Sequence, residues 1–161
     1  MNTNAAEIKR EKIDTINDLI QIARDSAEFY SEAANAVDNP KLKSLFAEMA
    51  QSKSGLVGAM SRQVREAGAT PASSGTITGT FRRLYENVRA KMQSNDGDFA
   101  YVSELENGED RLMDAFHDVL ASDSTPTEVK ESLRGYMPTI KKHHDTMRDR
   151  KWAKQTGETK H

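Results

Sequence analysis

The chain has 161 residues, enough for one domain with a single core. It holds no cysteine, which excludes disulfides, thiol nucleophiles, thiolate zinc sites and iron–sulfur clusters together. A net charge of −2 supplies no global basic field for nucleic acid. The longest apolar run, Phe99-Ala100-Tyr101-Val102, is far too short to span a membrane. Residues Met1 to Lys12 are polar and lack the apolar stretch of a signal peptide, so the expected compartment is the cytoplasm. A hydrophobic share of 36% beside 30% charged residues suits long amphipathic helices, each turning about a third of its surface inward.

Five helices are predicted in chain order, and no segment alternates as a strand does. Helix A covers about 11–37, with the stripe Ile13, Ile16, Ile20, Ala23, Ala27, Tyr30, Ala34, Val37. Asn39-Pro40 then places a cap before a proline at the first helical position, so helix B starts at 40 and runs to 67. Gly68 ends it, and 68–75 reads as a loop. A connecting helix is expected over 76–93, and Asn95-Asp96-Gly97 turns into helix C over 98–121. Thr125-Pro126-Thr127-Glu128 reads as a capping box that opens helix D over 126–152, with Pro138 kinking it. The domain is expected to be single over 1–161, with its core in 11–152 and a polar tail over 153–161.

Short A–B and C–D turns make each pair an antiparallel hairpin, whereas the B–C link is long and itself helical. The predicted architecture is therefore all-α, a ferritin-like four-helix bundle with a long helical crossover between B and C. Charge is uneven along it. Residues 93–123 hold nine Asp or Glu and one Arg, while 124–161 hold nine Lys or Arg and five acids. Complementary faces of the C–D hairpin account for this more simply than a cation-attracting face on C.

The informative residues are polar ones at core positions. Glu109 falls near the centre of C's apolar face, between Leu105 and Leu112, with Glu106 at its edge. Lys53 falls between Met49 and Leu56 on B; His143 falls between Ile140 and Met147 on D, with His144 at the edge. Ser26 and Tyr30 are the inward polar groups of A. All lie near mid-height of the hairpins, which predicts a polar layer across the bundle. Charges in such a layer must pair, hydrogen-bond or hold an ion.

The run Glu106-Asn107-Gly108-Glu109-Asp110, the turn Asp38-Asn39-Pro40, the pair His144-Asp145 and the segment Gly75-Thr76-Ile77-Thr78-Gly79 carry a resemblance. Together they resemble a bacterial single-domain ferritin-like family of unknown function, over about residues 14–150. The resemblance implies the ferritin-like fold and a structural or partner-binding, stress-type role; it implies no activity.

Di-iron and di-manganese bundles draw a Glu from each of two helices and a Glu-x-x-His from each of the other two. Within the predicted helices no Glu-x-x-His occurs, and Asp25, Glu28 and Glu32 project away from A's stripe and read as solvated surface. A metal reading is left with Glu106, Glu109, His143 and His144, holding iron or manganese. Lys53 in the same layer argues against it, because an ammonium repels a dication and neutralises a carboxylate itself. The preferred reading makes Lys53 the counter-ion of Glu109 or Glu106, with a histidine completing the network and no cofactor bound. The expected protein is non-catalytic, its alternative a carboxylate-bridged redox or storage metalloprotein. Leu19 and Phe29 widen A's apolar arc and Trp152 lies off D's stripe, which points to a homodimer or a protein partner.

Overall fold

The computed structural model of the chain describes residues 5–73, 79–91, 97–123 and 125–155. These residues are all-helical, with no strand among them. The elements are α1 (Ala5–Ala36), α2 (Pro40–Glu66), α3 (Gly79–Lys91), α4 (Gly97–Ala121), α5 (Thr127–Arg134) and α6 (Met137–Gln155). The segment Gly75-Thr76-Ile77-Thr78-Gly79 lies outside the described residues except for Gly79, as do both ends of the expected 76–93 helix and the tail from 156.

Local chemistry sets the boundaries. Asn39 caps α2: its side-chain oxygen accepts from the Lys41 N–H at 2.9 Å and the Leu42 N–H at 3.2 Å, satisfying donors that an N-terminus leaves open. Asp98, at the start of α4, accepts from the Asp38 N–H at 3.1 Å and the Asn39 N–H at 3.0 Å. One carboxylate thus ties the α1–α2 turn to the neighbouring helix. Asn39→Ala is expected to lower stability by about 1 kcal/mol in urea titrations; an unchanged midpoint counts against the cap. At the other end of α2, Gly68 takes φ +84°, a left-handed value that favours glycine. The chain then returns along α1, where Asn17 donates to Thr70 O at 3.2 Å and Arg24 Nε donates to Ala72 O at 2.7 Å.

Helix D is not one kinked helix. It is two, α5 and α6, separated by Gly135 and Tyr136. Pro138 has no N–H, and its ring excludes a helical carbonyl at Arg134. The helix therefore stops at Arg134, and Pro138 falls in the first turn of α6, where its missing donor costs nothing. Tyr136 pins the junction by donating its hydroxyl to Gln63 Oε1 of α2 at 2.7 Å. The capping box at Thr125 also does not form. α5 begins one residue later than expected, with Pro126 as its cap residue and no side-chain cap, so Thr125 stands too early to reach the first turn.

α1 packs along α2 and α4 along α6, with α4 also against α1 and α3. The core has two apolar parts. One gathers Phe29, Tyr30, Phe46, Tyr85, Leu105 and Met147; the other gathers Ile16, Ile20, Leu56, Met60, Leu112 and Ile140. On α2, α4 and α6 the change from one part to the other falls at Lys53, at Glu106–Glu109 and at His143.

Two expectations for α1 are corrected by its packing. Phe29 is fully buried, its ring 4.5 Å from that of Tyr85 on α3, and Leu19 is buried in the second core part. The widened apolar arc is thus covered within the chain and gives no argument for a dimer. Asp25, read as solvated, is 2% exposed, and its charge helps raise the Tyr85 hydroxyl pKa, an effect led by burial. A second face of α1 is buried because the connector lies on it. Glu28 is exposed and Glu32 half-buried.

Candidate functional site

The centre of the molecule is an ion pair with a phenol. Lys53 on α2 and Glu109 on α4 are each 0% exposed, and Lys53 Nζ donates to Glu109 Oε1 at 2.5 Å. Tyr30 on α1, also fully buried, donates its hydroxyl to the other carboxylate oxygen, Oε2. Both oxygens of Glu109 are therefore engaged, by donors from two different helices. Burial alone pushes the Lys53 ammonium toward losing its proton, and Glu109 opposes that by favouring the charged form. The Tyr30 hydroxyl is held well above its ordinary range, first by burial and then by the adjacent Glu109 charge, so it serves as a donor. Ser26 is buried one turn before Tyr30 on the same helix.

His143 on α6 is 4% exposed and its Nδ1 has no hydrogen-bond partner. Burial, then Lys53 and Lys142, push its pKa down from 6.5 to about 3, so the ring is neutral. It lines a groove of about 500 Å³ whose other walls include Met49, Ser52, Leu56 and Thr139 of α2 and α6.

Glu106 and His144 belong to a second cluster, on the α4–α6 flank. His144 Nε2 lies 2.6 Å from Asp110 Oδ1, and its Nδ1 lies 3.2 Å from Asp145 Oδ1. Glu106 accepts from Lys151 Nζ at 3.2 Å. Its carboxyl pKa is raised by burial and by Asp110, against the pull of Lys151. One ligand atom each from Glu106, Asp110 and His144 falls within 4.8 Å of the others.

The four residues of the sequence's metal reading are thus divided. Glu109 is bound by Lys53 and Tyr30; Glu106 and His144 meet Asp110; His143 joins neither set by hydrogen bonds. The sequence reading named Asp110 and Asp145 only as members of motifs, not as site residues, and Lys151 not at all. The signal was present: Asp110 follows Glu106 by four residues, which puts both on one helix face, and Asp145 adjoins His144.

Residues 11–122 match the family described as Domain of unknown function (DUF2383), and the chain belongs to that family. The matched range takes in Tyr30, Lys53, Glu106, Glu109 and Asp110 and ends before α5 and α6. No curated protein matches the chain, and no solved structure does. No described helix is long and apolar enough to cross a membrane.

Proposed function

We propose that this chain is a non-catalytic helical bundle of ferritin-like connectivity, acting as a structural or partner-binding protein whose centre is closed by a salt bridge. The observation that carries the reading is the engagement of both Glu109 oxygens by Lys53 and Tyr30. A dinuclear iron or manganese centre needs carboxylates and imidazoles from all four bundle helices. Here α1 presents a phenol and α2 an ammonium to the one central carboxylate, so the residues do not fit such a centre. Ferritin-like connectivity is supported by the α1–α2 and α4–α6 contacts and by α3 standing between the two pairs in the chain. A protein partner or a second copy has Trp152 to meet, 64% exposed on α6.

The test is elemental analysis of untagged protein purified without chelator, beside the variant Lys53→Met/Glu109→Leu, which strands neither charge. Equal iron and manganese content in the two proteins is expected. A pair of ions per chain that disappears in the variant overturns the proposal.

A further inference from the structure

We propose that Glu106 and Asp110 of α4 and His144 of α6 form a mononuclear divalent-cation site, separate from the Lys53–Glu109 centre. Glu106 and Asp110 stand on one face of a single helix, four residues apart, so the scaffold fixes their spacing. His144 comes from the helix packed against them, and the three candidate ligand atoms lie within 4.8 Å of one another. A cation between them reaches all three after small side-chain movements. Two carboxylates and an imidazole suit a first-row transition ion such as Zn²⁺, Co²⁺ or Mn²⁺.

Two further features fit this use. The Nδ1 edge of His144 faces the Asp145 carboxylate at 3.2 Å, the carboxylate–imidazole arrangement that orients a ligating histidine and leaves Nε2 for the metal. The burial is also graded. The Glu106 side chain is 10% exposed and that of His144 13%, whereas that of Asp110 is 46% exposed. The site therefore has a sheltered side and an open one, by which an ion enters and water completes its coordination.

Lys151 Nζ donates to Glu106 Oε2 at 3.2 Å. It is a competitor rather than a member of the site. An ion displaces its ammonium from Glu106 and takes the place of the direct contact between His144 Nε2 and Asp110 Oδ1.

The experiment is titration of the untagged, chelator-treated full chain with Co²⁺, followed by visible absorption, and with Zn²⁺ by calorimetry. One equivalent of each is expected to bind. Asp145→Asn is expected to weaken binding about tenfold, the usual lower cost of losing a partner behind a ligating imidazole. Asp110→Asn and His144→Ala are expected to weaken it more and to abolish the cobalt spectrum. Lys151→Met is expected to tighten it, an outcome that diffuse attraction to acidic groups does not produce. His117→Ala, on the exposed side of α4, leaves it unchanged. Asp110 is accessible enough for Asn to keep the fold, which circular dichroism checks. Absence of saturable binding to the parent chain, or binding that survives both Asp110→Asn and His144→Ala, overturns the site.

Discussion

Lys53→Met is expected to lower the unfolding free energy by about 3–5 kcal/mol, and Glu109→Leu by a similar amount. The double variant Lys53→Met/Glu109→Leu is expected to lose much less, or to gain stability. The asymmetry follows from burial. Both side chains are out of contact with water, and each is the principal compensation of the other's charge. Removing one leaves the other desolvated and unpaired; removing both strands no charge and leaves between the two apolar core parts only the Tyr30 hydroxyl to find a new acceptor, a smaller cost than a buried charge. Tyr30 modifies the two single variants differently. It still donates to Glu109 when Lys53 is gone, but in Glu109→Leu its hydroxyl loses its acceptor as well. Urea or thermal unfolding of the four proteins, with chelator present, gives the coupling directly. Additive losses in the double variant would show that the pair is not a unit, and parental stability in both single variants would place neither charge in the interior.

The helices were legible because their apolar stripes keep a helical period and because Asn39, Pro40 and Gly68 mark ends by local chemistry. Lys53, Glu109 and His143 stand out by the same logic, since each interrupts such a stripe. What was not legible depends on contacts between helices. Nothing in α1 alone says that α3 will cover a second face, so Asp25 read as surface and Phe29 as spare apolar area. Pro138 announces a disturbance but not its size: whether the helix bends or stops there depends on tertiary contacts such as that of Tyr136 with Gln63 of α2. Asp110 stands in the sequence only as part of the Glu106–Asp110 run, because it lies off the apolar stripe and its partner His144 becomes its neighbour only when α6 packs on α4. The partition of the carboxylates between an inner ion pair and an outer cluster is likewise a matter of helix rotation, which a one-dimensional stripe fixes only coarsely.

His143 should make the fold acid-sensitive above the range in which most carboxylates titrate. In the unfolded chain its imidazole takes up a proton near pH 6.5; in the folded chain burial, Lys53 and Lys142 hold that step down to about pH 3. Between those values the unfolded state carries a proton that the folded state does not. Stability from this group is therefore complete above about pH 6.5 and falls as the pH is lowered, with a slope of about 1.4 kcal/mol per pH unit. Below about pH 3 both states are protonated and the loss stops. Glu106 acts in the opposite sense, because its raised carboxyl pKa makes the folded state the better proton acceptor as the pH falls. The two contributions separate in a difference measurement. His143→Met removes the imidazole and continues the apolar stripe between Ile140 and Met147, leaving Glu106 in place. In chelator-containing buffer, the parent is expected to lose about 2–3 kcal/mol more than the variant between roughly pH 6.5 and 4.5. Urea midpoints of both proteins across that interval measure it. Parallel curves would mean that His143 accepts its proton within the folded chain, at the groove between α2 and α6, without opening the core.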